Sequence, residues 1–293
     1  MISKLIVLKN SIAGYFYKCL VDFHFISVPS LNQSKRDKQI IVSLTSYGRR
    51  ISSSVVYYSL VSILRQSVQP DKVILWIDKN KWNNDNLPAK LKSLIPKGIE
   101  YGFCEDVRSY TKLVPSLEKY AEDIIITLDD DIIYASDTIQ RLYDAHLSHP
   151  DTICCMNPLK LHVANGYPCK YETWVEYPDV IEGHDQVFPC GVDSVLYPPH
   201  CLDELATNRD LFKKLCPLAD DVWFWFCGCL KGTKKIGIKR KVSNYSFDTL
   251  YQYFHQGSAL THANRFEHQN DKQIRDIFDH FGVTMVEGKI TKR

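Results

Sequence analysis

Two groups of adjacent carboxylates are the residues of this sequence best suited to chemistry. Three consecutive aspartates, Asp129 to Asp131, end the apolar run DIIITL, and a pair, Asp220 and Asp221, precedes the aromatic run VWFWF. Carboxylates about 4 Å apart repel one another by roughly 4 kcal/mol at an effective dielectric constant near 20. We therefore expect both groups where a cation or a reacting ligand compensates their charge.

The first group has the spacing of a divalent-metal site. Asp129 and Asp131 form a D-x-D pair, and their hard oxygen ligands suit Mg²⁺ or Mn²⁺. These ions keep several waters and take further ligands from substrate phosphates, so one or two protein carboxylates suffice. A helix cap is the alternative for any single aspartate. Three aspartates after a fully apolar strand favour ligand binding.

The second group could supply a general base. Carboxylates at the start of a helix commonly serve as caps, and for this pair alone a capping role is the more typical one. About ninety residues after a metal-binding cluster, however, an acid is available to accept a proton from a substrate. We expect Asp220 to cap the helix, Asp221 to carry the chemistry, and most of VWFWF to pack in the core.

Alternating strands and helices must position these carboxylates. The strand-like runs QIIVSLTSY, KVILWID, IEYGFC and DIIITLD are separated by segments with helical spacing. This alternation predicts an α/β fold with a mostly parallel central sheet flanked by helices. Ligands bind beyond the carboxyl ends of the strands in such sheets. Asp78, Asp129 and the loop from Thr45 to Gly48 are expected to lie at that edge.

Composition and charge are those of an ordinary globular enzyme. The chain has 293 residues, 45% of them hydrophobic, and a formal net charge of +2. This charge is too small to indicate nucleic-acid binding. The ten cysteines show no repeated CxxC spacing, which predicts free thiols in a reducing cytoplasm, not a zinc site or a disulfide framework.

The N-terminal segment, residues 1–38, has a different character. It carries six basic and two acidic residues, a net charge of +4, on an otherwise apolar stretch. The apolar stretch is interrupted by lysines, falls short of the ~20 residues of a spanning helix, and lacks a small-residue cleavage site. Two interpretations stay open: an interfacial helix on an anionic membrane, and a helix packed on the surface of its own domain.

Three motifs follow one another along the chain: QSVQPDKVILWID, the D-x-D, and an acidic pair opening a helix that ends in Gly. In order and spacing, they resemble the motifs of a family 2-type glycosyltransferase of the GT-A (nucleotide-diphospho-sugar transferase) fold, most nearly the bacterial capsule and O-antigen enzymes. The resemblance implies a metal-dependent, inverting transferase acting in the cytoplasm or on the inner face of the cytoplasmic membrane. Its partners would be a nucleotide-sugar donor and a glycan or lipid-linked glycan acceptor, with no nucleic acid.

The resemblance also implies a division of the chain and roles for its residues. Residues 1–38 would be a membrane-proximal helical segment, 39–245 the catalytic domain, and 246–293 a helical extension packed on it. Asp131 would bind Mn²⁺ or Mg²⁺, and Asp221 would be the base with Asp220 beside it. The donor-binding residues would be Thr45, Ser46, Tyr47, Asp78, Lys112, Asp129 and Asp130. Candidates to close over the diphosphate or the metal, with a solvated loop as the alternative, are His255, His262 and His268.

Two other functional classes stay open. A nucleotidyltransferase on a similar sheet would also need a metal and two acids, and would usually show a Gly-rich N-terminal loop with a basic residue. The segment LTSYGRR is a poor version of such a loop. A non-enzymatic carbohydrate-binding protein would have little use for both groups of carboxylates.

Overall fold

A sheet of mixed strand direction is the centre of the computed structural model, which describes residues 4–32, 36–53, 55–176, 181–183, 185–238, 245–246 and 268–293. Numbered along the chain, the strands are β1 (Ile40–Thr45), β2 (Lys72–Asp78), β3 (Ile99–Cys104), β4 (Ile124–Leu128), β5 (Ile132–Ile133), β6 (Ile153–Cys155), β7 (Pro158–Lys160), β8 (Val163–Ala164), β9 (Tyr167–Pro168), β10 (Val175–Glu176), β11 (Ile181–Gly183), β12 (Val187–Pro189), β13 (Ser194–Tyr197), β14 (Lys235–Gly237), β15 (Tyr245–Ser246), β16 (Val283–Val286) and β17 (Lys289–Lys292). The α-helices are α1 (Lys4–Asp22), α2 (Arg49–Ser52), α3 (Val55–Leu64), α4 (Ala89–Lys92), α5 (Val114–Lys119), α6 (Thr138–Ser148), α7 (Arg209–Leu215), α8 (Asp220–Leu230) and α9 (Gln269–Phe281). Short 3-10 helices span Ile95–Lys97, Arg108–Lys112, Tyr171–Thr173 and Glu204–Thr207.

The central sheet has eight strands in the order β11-β14-β6-β13-β4-β1-β2-β3. Strands β3, β2, β1 and β4 are mutually parallel. Strand β13 runs antiparallel to both β4 and β6, and β14 is parallel to β6. Strand β11 is antiparallel to β14, so six of the eight strands share one direction. The predicted α/β class with a mostly parallel central sheet is confirmed.

The strand order reverses between β1 and β4. From β1 the chain moves outward through β2 to β3, and then crosses back to place β4 on the other side of β1. In open α/β sheets, ligands bind at such a switch point, beyond the carboxyl ends of the strands. Ser46 follows β1 there and Asp129 follows β4.

Helices cover both faces of the sheet because its central strands are apolar on both sides. Within β1, Val42 and Leu44 belong to the same buried cluster as α3, α4 and α6. Ile41 points to the opposite face, whose cluster includes α5, α7, α8 and α9. The predicted flanking helices are therefore present on each side.

The aromatic run of α8 is the centre of one face. Trp223, Phe224, Trp225 and Phe226 are at most 2% exposed, which confirms their predicted packing in the core. Phe278 of α9 packs against this run, with its ring centre 6.4 Å from that of Trp225. The helix predicted from DKQIRDIFDHFGV is thus confirmed and packs on this face of the sheet.

Smaller sheets complete the structure. Strands β7, β10 and β12 form a three-stranded sheet, and β15 pairs with β5 directly after the aspartate cluster. The expected C-terminal helical extension is helical only in part, because β16 and β17 form a hairpin after α9. All ten cysteines are free thiols, as predicted. Among the described helices, none is long and apolar enough to cross a membrane.

Candidate active site

The first acidic cluster lies in the turn between β4 and β5. Asp130 and Asp131 are 4% and 8% exposed, and Asp129 is partly buried. The turn is held by Tyr134, whose hydroxyl accepts from the Asp129 backbone N–H at 2.7 Å and donates to the Asp193 carbonyl at 2.9 Å. Ser59 of α3 also donates to the Asp129 carbonyl at 2.9 Å. These hydrogen bonds therefore fix the backbone of the turn that carries the carboxylates.

The loop after β1 brings a cation to this cluster. Arg50 of α2 donates from Nη1 to Asp130 Oδ1 at 2.5 Å and from Nη2 to Asp131 Oδ2 at 2.8 Å. Ser46 is buried and donates its hydroxyl to the second oxygen of Asp130 at 2.5 Å. Tyr47 is 60% exposed, with its ring centre 5.7 Å from the Arg50 guanidinium carbon. The loop thus presents one aromatic ring to solvent beside a paired guanidinium.

Lys112 joins the two acidic groups. Its Nζ lies 4.0 Å from Asp129 Oδ1 and 3.3 Å from Asp220 Oδ2, and it donates to the Gly191 carbonyl at 3.0 Å. Lys112 ends a 3-10 helix, and α5 begins two residues later with Pro115 in its first turn, where no N–H is needed. Aspartates about ninety residues apart in sequence therefore meet at one ammonium group.

A buried hydroxyl network beneath the sheet fixes the Lys112 backbone. Ser43 of β1 donates its hydroxyl to the Lys112 carbonyl at 2.5 Å and lies 2.7 Å from the Ser116 hydroxyl. The indole N–H of Trp76 lies 3.1 Å from Ser43 Oγ and 2.8 Å from Ser116 Oγ. Gly102 on β3 is required beside this indole, because a Cβ there would lie 2.2 Å from Trp76 Cε3.

Asp221 and Asp220 do not divide their roles as the sequence predicted. The N-cap of α8 is Ala219, with no side-chain hydrogen bond, so the predicted capping role of Asp220 is wrong. Asp221 accepts the backbone N–H groups instead, from Val222 at 2.9 Å and from Gly191 at 3.3 Å. Asp220 is 7% exposed, and its Oδ2 lies 3.3 Å from Lys112 Nζ. The negative charge of Asp220 is therefore compensated by the ammonium group of Lys112 and not by the N–H groups of the helix.

The loop before β13 closes the site against Asp221. A Cβ on Gly191 would lie 3.1 Å from Asp221 Cβ and 3.2 Å from Lys112 Nζ, so only glycine fits without displacement. Asp193 has φ of +85°, a conformation that costs a non-glycine residue about 1–3 kcal/mol. Its backbone N–H donates to Asp129 Oδ2 at 2.9 Å. The strained loop therefore contacts both groups of carboxylates.

Burial and crowding weaken the acidity of these groups. Burial raises the pKa of Asp129 to about 7 against the attraction of Lys112. Burial also raises the pKa of Asp130 to about 6, against the attraction of Arg50. Burial, with repulsion from Asp220, raises the pKa of Asp221 to about 6. Carboxyls with such pKa values are poised to exchange protons near neutral pH.

The oxygens of the D-x-D pair suit a divalent cation. Arg50 donates to Asp131, and Lys112 Nζ lies 4.0 Å from Asp129 Oδ1. Asp220 Oδ2 is buried and accepts no hydrogen bond in the described structure, although Lys112 lies near it. No closed set of three metal-ligating side chains occurs among the described residues. Mg²⁺ or Mn²⁺ held partly by phosphates needs only one or two carboxylates, which the D-x-D supplies.

The predicted residues that end or follow β1, β2 and β4 lie at one edge of the sheet, but two of them, Asp78 and Thr45, have no described hydrogen bond or ion pair with the acidic groups. Asp78 ends β2, but its described contacts are local, to the Asn80 backbone N–H at 3.0 Å and to Lys81 at 3.5 Å. Thr45 donates its hydroxyl to the Trp76 carbonyl at 3.0 Å and so belongs to the sheet. His268 is the exposed N-cap residue of α9, while the other two candidate histidines, at 255 and 262, lie outside the described residues.

Three residues of the site were not predicted from the sequence: Arg50, Tyr134 and Asp193. For Arg50 the sequence carries one signal, a basic residue in SYGRR directly after the first strand. This residue pairs with the aspartate cluster. Tyr134 and Asp193 gave no signal, because their roles depend on β13 pairing with β4 across about sixty residues of chain.

Similarity to known proteins was found among solved structures only. No protein-family model matches the chain, and no curated protein does. Among solved structures, S. aureus TarS in complex with UDP is 13% identical with a TM-score of 0.48, over 83% of this chain and 72% of that one. A 4-diphosphocytidyl-2C-methyl-D-erythritol synthase is 10% identical with a TM-score of 0.48, over 76% and 98%. A mannosyltransferase from Pyrobaculum calidifontis in complex with GDP-Man and Mn²⁺ is 13% identical with a TM-score of 0.34, over 52% and 46%.

Proposed function

We propose that this protein is a metal-dependent glycosyltransferase of the GT-A type, acting on a nucleotide-diphosphate sugar with inversion. The acceptor is a growing bacterial surface glycan, free or lipid-linked, of the capsule or O-antigen kind. This acceptor class rests on the motif resemblance of residues 39–240, whereas the chemistry rests on the site described above.

One observation carries the proposal: Lys112 holds both groups of carboxylates at one point. Its Nζ is within 4.0 Å of Asp129 and 3.3 Å of Asp220, and Asp221 is adjacent. A sugar transfer needs stabilisation of a departing diphosphate and, nearby, a base for the attacking hydroxyl. A carbohydrate-binding surface needs neither, and a buried acid pair would destabilise it without benefit.

Asp221 is the proposed base. Its carboxylate is held by the Gly191 and Val222 backbone N–H groups, and its pKa of about 6, raised first by burial, leaves it mostly ionised at neutral pH. The acceptor hydroxyl gives its proton to Asp221 as its oxygen attacks the anomeric carbon. The bond from that carbon to the diphosphate breaks, and its electron pair leaves with the nucleotide.

The D-x-D residues are the proposed holders of a cation, with Asp131 as its main ligand. A bound Mn²⁺ or Mg²⁺ would neutralise charge on the departing diphosphate. Arg50 pairs with Asp130 and Asp131, so this guanidinium and a bound cation would share the same carboxylates. Ser46 orients Asp130, and the exposed ring of Tyr47 is placed to lie against the donor nucleotide.

Calorimetric titration with a panel of nucleotides and nucleotide sugars, with and without Mn²⁺, tests donor binding. We expect binding that Mn²⁺ strengthens and that Asp131→Ala removes without loss of the fold. Equal affinity in EDTA and in Mn²⁺ would contradict the metal assignment. Asp210→Asn, an exposed acid in the first turn of α7, is the matched control for substitutions at the start of α8.

The products distinguish the rival classes. Release of a nucleoside diphosphate with an inverted sugar linkage supports the proposal. Release of pyrophosphate from a nucleoside triphosphate would establish a nucleotidyltransferase instead. Glycan binding with no turnover of any donor would instead support the assignment as a non-enzymatic carbohydrate-binding protein.

A further inference from the structure

An exposed apolar surface runs along α1 and the turn after it. Five side chains make up this α1 surface, and each is more than 60% exposed: Ile12, Tyr15, Phe16, Phe23 and Phe25. They fall within fourteen residues, yet they account for five of the eleven large exposed hydrophobic residues in the described part of the chain. Such clustering distinguishes them from the scattered exposed residues of ordinary surfaces.

The exposed side chains within α1 lie on one side of the helix because the other side is anchored. Ile12 and Phe16 are one helical turn apart, with Tyr15 beside them. On the anchored side Val21 is buried, and Asp22 accepts from Lys90 at 2.6 Å and from the Tyr58 hydroxyl at 2.9 Å. The α1 surface is therefore presented outward by a helix that is fixed to the body of the protein.

The apolar area of the α1 surface is too small for a stable protein interface. A buried aromatic side chain covers about 200 Å², so the four aromatic rings, 63–78% exposed, offer about 560 Å². This lies at the top of the range for a monomer's largest apolar patch, about 300–600 Å². It is below the ~800 Å² per partner of a stable protein interface.

The charges around the surface favour an anionic partner. Lys9 is exposed about two turns before Phe16, and α1 contains a single acid, Asp22, which is already paired with Lys18 and Lys90. Residues 1–38 carry a net charge of +4. Two copies packed face to face would bring these positive charges together, whereas an anionic lipid surface would complement them.

We propose that the α1 surface docks on a bilayer containing anionic phospholipid. The aromatic rings and Ile12 enter the boundary between headgroups and acyl chains, and Lys9 contacts lipid phosphates. The protein lies on the bilayer and does not span it. This inference stands on the surface alone and does not depend on the proposed glycosyl transfer.

Docking would also orient the candidate active site. Helix α1 packs against β15, and β15 pairs with β5, with Ser246 opposite Ile132. Ile132 directly follows Asp131, so a helix held on the bilayer is two strands removed from the acidic cluster. This orientation, unlike the docking itself, rests on the proposed function, in which a lipid-linked acceptor would meet the site at the membrane.

Co-sedimentation of the full chain with vesicles tests the docking. We expect binding to phosphatidylcholine vesicles containing roughly a third phosphatidylglycerol, and several-fold weaker binding to phosphatidylcholine alone. The triple variant Phe16→Ser, Phe23→Ser, Phe25→Ser should lower the partition coefficient about a hundredfold or more. Lys9→Gln should lower it about fivefold, on anionic vesicles only.

A matched triple variant controls for the loss of exposed apolar side chains. Ile95→Ser, Leu147→Ser, Val286→Ser removes three residues that are 49–59% exposed elsewhere on the surface, and should bind vesicles as the wild type does. Circular dichroism checks that both triple variants are folded. Nucleotide titration in parallel keeps a failure of docking separate from a failure of the proposed function.

Three outcomes would overturn the inference. Undiminished vesicle binding by the Phe triple variant would show that another surface is responsible. Equal binding to neutral and anionic vesicles would show that the surface does not recognise anionic lipid. A dimer seen by light scattering, abolished in the Phe triple variant and accompanied by no vesicle binding, would assign the surface to a second copy of the chain.

Discussion

Replacing Asp221 by Asn should stabilise the protein at alkaline pH while removing its activity. Burial raises the pKa of Asp221 from 3.8 to about 6 in the folded protein. The stability associated with this raised pKa is present below pH 3.8 and is lost as the pH rises through 6. At pH 8 the ionised carboxylate therefore costs about 3 kcal/mol of folding free energy, at 1.36 kcal/mol per pKa unit.

Asparagine avoids this cost because it carries no charge. The variant loses part of the hydrogen bonding to the Gly191 and Val222 N–H groups, worth about 1 kcal/mol. We expect the free energy of unfolding to rise by a net amount of about 2 kcal/mol at pH 8. At pH 5, where the folded wild-type carboxyl is mostly protonated, this gain should be smaller by about 1 kcal/mol. Turnover should fall 10²–10⁴-fold, because asparagine accepts no proton.

Urea unfolding at pH 5 and pH 8 measures the stability change, and turnover at both pH values measures the chemistry. Wild-type kcat/KM should be about tenfold lower at pH 5 than at pH 8, following ionisation of a group with a pKa near 6. Asp210→Asn should change neither quantity appreciably. A destabilised Asp221→Asn at pH 8, or a stability difference that is the same at both pH values, would refute the reasoning.

Three further substitutions probe the surroundings of this carboxylate. Lys112→Met removes the ammonium between the acidic groups and should destabilise the fold by about 3–5 kcal/mol in urea unfolding at pH 8; a loss below 1 kcal/mol would contradict its bridging role. Gly191→Ala places a Cβ 3.1 Å from Asp221 Cβ and should reduce kcat more than stability; unchanged kcat would show that the loop yields freely. Arg50→Met removes the ion pair between Arg50 and Asp131 and should tighten Mn²⁺ binding without nucleotide, measured calorimetrically. Weaker binding would show that Arg50 helps to build the metal site.

The sequence predicted the elements that depend on local pattern. The four apolar strands from β1 to β4 and their carboxyl ends follow from runs such as DIIITL, so Asp129 was assigned correctly to the edge of the sheet. The second acidic pair was assigned correctly to the start of α8. In both cases the pattern lies within a dozen residues of the side chain it positions.

The side-chain partners could not be predicted, because they come from distant parts of the chain. Asp220 was expected to cap α8, but Lys112, more than a hundred residues earlier, attracts its carboxylate, and Gly191 supplies the N–H group that Asp221 accepts. Nothing local to ADDVW distinguishes one aspartate from the other. The position of Gly191 depends on the antiparallel entry of β13 between β4 and β6, which no periodicity in the sequence reveals.

That antiparallel strand has a consequence for which parts of the chain can vary independently. Ser194 pairs with Leu128, so the register of β13 alone sets Asp193 against Asp129. The sheet of β7, β10 and β12 lies in the chain between β6 and β13, outside this pairing. Residues 158–176, which include β7 and β10, could therefore be exchanged or lengthened while β6, β11 and β13 stay in the central sheet. The two groups of carboxylates and this segment are, in this sense, separately variable parts of one chain.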